Sequence, residues 1–146
     1  MAFTDEAIRA LVGEAKFSDA EATRLLTEYL ITHRDRIGET YFAKVLPLDN
    51  FQVENRRITF EDLQIKYGLV DKRDYKVQWS RFDNDSEKHT SIDGATSMAL
   101  PAETRSAPLG AYFGAKIRGE DEAKTVTVYV RKQPDGVQVV GIDRTW

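Results

Sequence analysis

The chain has 146 residues and no cysteine, and its 24 acidic residues against 21 basic ones leave a formal net charge of −3. The missing thiols exclude disulfides, thiolate zinc sites, iron–sulfur clusters and cysteine nucleophiles. The missing basic excess removes the footprint of a general nucleic-acid binder, and no apolar run approaches the ~18 residues of a membrane-crossing helix.

Thr4 predicts a helix cap, with Asp5 and Glu6 favourably placed in the first turn. Ile8, Leu11, Val12 and Ala15 then form one apolar stripe at helical spacing. Ser18 and Glu21 have the spacing of a capping box, with Phe17 at the staple position before it. The stripe of a second, long helix runs through Ala22, Leu25, Leu26, Tyr29, Leu30, His33, Ile37 and Tyr41. Pro47 cannot continue it, so the helix is predicted over about 18–45.

From Leu48 the period changes to two. Phe51 and Val53 alternate, as do Ile58 and Phe60, with "ENRR" between them as a hairpin turn. Leu63, Ile65 and Tyr67 are out of phase with that run, which predicts a bulge near Glu61 and Asp62, the alternative being a short helical turn. "YKVQWSRFD" is a strand with Tyr75, Val77 and Trp79 on one side; "NDSEK" turns into a shorter strand, "HTSI". Residues 93–110 show neither period and predict a functional or mobile loop, with an edge strand around 97–100 as an option. Three strands then close the chain: Ala111 to Ile117, Val126 to Arg131 and Val137 to Ile142, the last two joined at "QPDG" by a type I turn with a following bulge.

Helices first and antiparallel strands after them predict an α+β fold, read as one domain over 1–146 with a helical part at 1–47 and a β part at 48–146. Two N-terminal helices would pack on a sheet of five to seven strands. Two architectures fit: a curved sheet wrapped on the long helix, or a helical hairpin beside a β-sandwich or barrel. The three strands from Ala111 onward resemble the end of an NTF2-like chain, and that resemblance implies the cone.

Candidate chemistry is sparse. His33, four residues after Tyr29, could face a helix–sheet pocket as a general base; its plainer reading is a boundary histidine bonded to one partner. Tyr29, His33, Tyr41 and Trp79 are the candidate lining of such a ligand pocket. Asp83, Asp85 and Glu87 alternate like the opening of a calcium loop, but Lys88 and Gly94 stand where glycine and glutamate are needed, so the run reads as a solvated turn. No phosphate-binding glycine loop, dinucleotide fingerprint, nucleophile elbow or zinc-protease histidine pair occurs. No metal and no cofactor is therefore expected.

On the closing hairpin, Tyr129, Arg131 and Ile142, with Trp146 beyond, are the candidate interaction surface. Aromatic and arginine side chains are enriched in such surfaces. The leading expectation is a non-catalytic accessory or protein-interaction module of bacterial type, taking a protein partner or a second copy of itself, with no nucleic acid and no membrane span. Alternatives are an NTF2-like ligand-binding domain or enzyme, and a carbohydrate binder stacking sugars on Trp79, Tyr112 or Tyr129. The abrupt ends fit a compact whole protein or the terminal module of a longer one. No targeting segment is recognised in this chain; a periplasmic or secreted location is the alternative if it is a piece.

Overall fold

The computed structural model describes residues 3–145. The class is α+β, and the chain divides into two compact units, Met1–Ala43 and Lys44–Trp146. Trp146 lies outside the described residues.

The first unit is a helical hairpin. Helix α1 (Asp5–Glu14) starts where the sequence predicts, the Thr4 hydroxyl accepting the Ala7 N–H at 3.2 Å. Helix α2 (Ala20–Phe42) is capped by Asp19 instead of Ser18: its carboxylate accepts the N–H groups of Glu21 and Ala22 at 2.8 and 3.3 Å. A carboxylate brings negative charge as well as an acceptor to the helix N-terminus, which a hydroxyl does not. The helix stops at Phe42, short of the predicted end, with Ala43 as its C-cap.

Arg34 ties the two helices together. Its guanidinium donates to Asp5 at 2.7 Å, to the Phe3 carbonyl at 2.9 Å and to Asp35. On α1, Ile8 and Val12 are buried while Leu11 is exposed; on α2 the buried residue is Gly38. The expected stripe is left open, with Leu25, Tyr29, Ile37 and Tyr41 all exposed.

The second unit holds the β-structure. Strands β1 (Leu48–Glu54) and β2 (Arg57–Asp62) form a hairpin closed by Asn55 and Arg56. Both turn residues have left-handed backbones, φ 48° and 59°, as a two-residue type I′ turn requires. A short helix, α3 (Leu63–Lys66), follows directly, so the phase change there is the helical turn and not the bulge. Asp62 decides it, because its side chain accepts the N–H groups of Gln64 and Ile65 and so nucleates a turn of helix.

The remaining strands are β3 (Lys76–Asp83), β4 (Lys88–Ser91), β5 (Tyr112–Arg118), β6 (Thr125–Gln133) and β7 (Gly136–Arg144), with a four-residue helix, α4 (Glu103–Ser106), before β5. They form an antiparallel sheet in the order β4-β3-β5-β6-β7. Its inner face carries Val77, Trp79, Phe113, Ala115, Ile117, Val126, Val128 and Val130, all buried.

Two pieces of the same unit close that face. One is the β1–β2 hairpin, contributing Leu48, Phe51 and Ile58 to the core. The other is the loop expected to be mobile or functional, which lies down as an ordered strap. Its Met98 carbonyl accepts the Ile58 N–H and its Leu100 N–H donates to Arg56, both at 2.9 Å. Ala99 forms a single bridge with Arg57, in place of an edge strand. Ser97 accepts the Trp79 indole N–H at 2.8 Å, and Leu100, Pro101 and Thr104 are buried. The segment lacks a period because it is held at separate points, Ser97, Met98 and Leu100, and then turns through the short helix α4.

The last strand is bent in register. Gly141 pairs with Tyr129 and Val139 with Val130, so Val140 is one residue extra. Such a bulge moves every later side chain to the other face. Ile142 consequently stands opposite Val128, in the inner row, and is separated from the outer face of Tyr129 and Arg131.

Candidate functional site

The outer face of the five-stranded sheet gathers polar, aromatic and charged groups from all five strands. Cross-strand partners share a face, so the register can be read sideways. One row runs His89, Phe82, Tyr112, Arg131, Gln138; the next runs Ser91, Ser80, Gly114, Tyr129, Gly141.

The first row is nearly continuous aromatic contact. Phe82 lies 4.8 Å from the His89 ring and meets Tyr112 edge-on at 6.5 Å. It also meets Tyr129 of the second row at 4.7 Å. The Arg131 guanidinium sits 5.3 Å from the centre of the Tyr112 ring, in cation–π range. The rings are tilted against one another, by 51° for Phe82 and Tyr129. They therefore wall a cup rather than pave a flat platform, which is the wrong shape for stacking a sugar on two coplanar faces.

Glycines make room for the cup. Gly114 is buried beneath the imidazole, and a β-carbon there would fall 3.2 Å from both His89 Cε1 and Ser80 Oγ. The space left open is about 500 Å³, lined by Phe82, Glu87, His89, Tyr112, Tyr129 and Val140.

Hydrogen bonds fix the histidine. Its Nδ1 is 2.9 Å from Ser80 Oγ and its Nε2 is 3.4 Å from the Tyr129 hydroxyl. Ser80 also donates to the Gly114 carbonyl at 3.3 Å. One arrangement satisfies all three contacts: Tyr129 donates to Nε2, Nδ1–H donates to Ser80, and Ser80 donates to Gly114. In that arrangement the serine proton points at a backbone carbonyl and the imidazole is not free to take it. Burial, followed by the nearby negative charges of Asp143 and Glu87, holds the Tyr129 hydroxyl above the usual tyrosine range.

The other residues singled out from the sequence fall elsewhere. Trp79 is fully enclosed in the core of the second unit, donating its indole N–H to Ser97, so it lines no open pocket. Tyr29 and His33 stack in parallel on the exposed side of α2, ring centres 6.1 Å apart. Tyr41 and His33 line a groove of about 600 Å³ within the helical hairpin, walled by Phe3, Leu11, Leu30 and Ile37. The one carboxylate near in sequence, Asp35, is held by Arg34. The Asp83 side chain accepts the N–H groups of Asp85 and Ser86, closing the β3–β4 turn. Ser80, Phe82 and His89 are the residues that strand alternation alone did not single out. The available signal was the tight "NDSEK" turn, which pairs Phe82 with His89 when counted outward. Comparison with protein-family models, with curated proteins and with solved structures gave no match to this chain.

Proposed function

We propose that this chain is a non-catalytic interaction module whose working surface is the outer face of the five-stranded sheet. The observation that carries the reading is the register row His89, Phe82, Tyr112, Arg131, Gln138, which presents rings and a guanidinium side by side. Tyrosine and arginine dominate the energetics of protein interfaces, because each brings large contact area and directed donors at little entropic cost. A binding role fits better than catalysis because the hydroxyl and imidazole nearest to a catalytic pair are already committed to Gly114 and to each other.

Selection from a random peptide library displayed on phage tests this directly. Peptides enriched on the wild-type chain should lose binding to the double variant Tyr112→Ser/Tyr129→Ser while the variant keeps its circular dichroism spectrum. Peptides that bind wild type and folded variant equally well, or no enrichment at all, would place the working surface elsewhere.

A further inference from the structure

We propose that Arg131 reads a terminal carboxylate, so that the occupant of the cup is the C-terminal end of a partner polypeptide whose last side chain is aromatic or otherwise apolar. The inference rests on the interaction-surface reading above and gives it a ligand chemistry.

The first support is an unmet electrostatic demand. Among the described residues, the Arg131 guanidinium has neither a carboxylate in ion-pair range nor a hydrogen-bond acceptor, and its Nε is buried without a partner. Its guanidinium lies over the face of Tyr112. The Gly110 backbone passes beside it: a β-carbon at that position would lie in ordinary contact, 3.5 Å from a terminal guanidinium nitrogen. A half-buried cation with an unsatisfied donor is costly, and a carboxylate is the group whose two oxygens match the planar fork of N–H donors.

The second support is spacing. Tyr112 belongs both to the wall of the cup and to the arginine site. It pairs with Arg131 on the neighbouring strand, and strands lie about 4.8 Å apart. Arg131 stands one strand beyond the Tyr112 wall of the cup, its guanidinium 5.3 Å from the centre of that ring. A ligand that fills the cup and reaches the guanidinium therefore has only the Tyr112 side chain to cross, a span within the reach of one residue from its own ring to its own terminal carboxylate.

Three small probes, followed by amide chemical shifts, separate the possibilities: N-acetylphenylalanine, its carboxamide, and N-acetyl-Asp-Phe-amide, in which the carboxylate belongs to a side chain. The acid should bind at the cup at least about tenfold tighter than the carboxamide, the size of effect expected for a charge-assisted fork. In Arg131→Gln the two should bind alike. Arg131→Lys, which keeps the stem and the charge, should recover only part of the preference. Equal binding of acid and carboxamide by the wild type overturns the carboxylate inference and leaves the surface reading standing. Tighter binding of the side-chain carboxylate probe overturns the terminal assignment. No shift at Phe82, Tyr112 or Tyr129 with any probe overturns both.

Discussion

Ser80 and His89 are joined across the β3–β4 hairpin by a 2.9 Å hydrogen bond that lies directly against Gly114 on the neighbouring strand β5. The imidazole sits beside Gly114 and reaches Ser80 through Nδ1 and Tyr129 through Nε2. A β-carbon there would fall 3.2 Å from both His89 Cε1 and Ser80 Oγ, and the further methyls of a β-branched residue would press harder on both. Gly114→Val should displace the His89 ring, break its bond to Ser80 and lower stability by about 1–3 kcal/mol. The His89 Cε1–H resonance and a urea titration measure both effects; an unmoved resonance with unchanged stability would contradict the packing described.

Asp62 is the most enclosed carboxylate described in the second unit, its side chain 3% exposed. It caps α3, accepts the Tyr75 hydroxyl at 2.6 Å and lies 3.5 Å from Arg73. Tyr75→Phe removes a donor from a buried charge and should cost about 1–3 kcal/mol. The same pair predicts a pH dependence. Burial, and then the hydrogen bond and negative charge of Asp62, raise the Tyr75 pKa well above the ordinary tyrosine value. With the folded value above the unfolded one, the stabilisation is complete below about pH 10 and is lost as pH rises beyond it. Wild type should therefore lose stability more steeply than Tyr75→Phe above about pH 10, and in parallel with it near neutrality. Alkaline unfolding followed by circular dichroism decides the matter.

The strap across the inner sheet face should behave as core, despite its loop-like composition. Leu100→Ala removes a side chain that is 7% exposed and should destabilise by about 2–5 kcal/mol. The Ile58 and Leu100 amides, each bonded across to the other segment, should exchange as slowly as those of the central strands. Exchange at the rate of a free loop would show that the strap is not held.

In the helical hairpin, the Arg34 hydrogen bond to Asp5 holds the Asp5 carboxyl below the usual aspartate range, assisted by its charge and by Arg9. A depressed pKa means that the contribution is present above the unfolded value and disappears as pH falls through the folded one. Asp5→Asn should lower helicity at neutral pH and flatten the acid side of the helicity profile, most visibly at low salt. Coincident profiles for variant and wild type would remove Asp5 as the tie.

Much of the architecture was legible because it is local. Alternation at Val126, Val128 and Val130 places those residues on one face whatever their partners, and Thr4 caps α1 by its position alone. Less local choices were misjudged by a residue or two. Asp19 displaced Ser18 as the cap because both were eligible and the carboxylate is the stronger acceptor. Asp62 makes a helical turn where the phase change predicts a bulge, because its side chain accepts the N–H groups of Gln64 and Ile65. Uninterrupted alternation places Ile142 with Tyr129 and Arg131, and the extra residue at Val140 does not announce itself in composition.

The sequence by itself determined the two long helices, the main strands, the class and the inner face of the sheet, since helical and strand periods are properties of short segments and survive in any arrangement. Only the tertiary structure decided which outward side chains meet. The row His89, Phe82, Tyr112, Arg131 depends on β5 lying between β3 and β6, and on the register of three separate pairings. A slip of one residue in any of them would send a ring to the opposite face. Residues far apart along the chain become neighbours only once every strand is in place, so the chemistry of this surface belongs to the fold rather than to any segment of it.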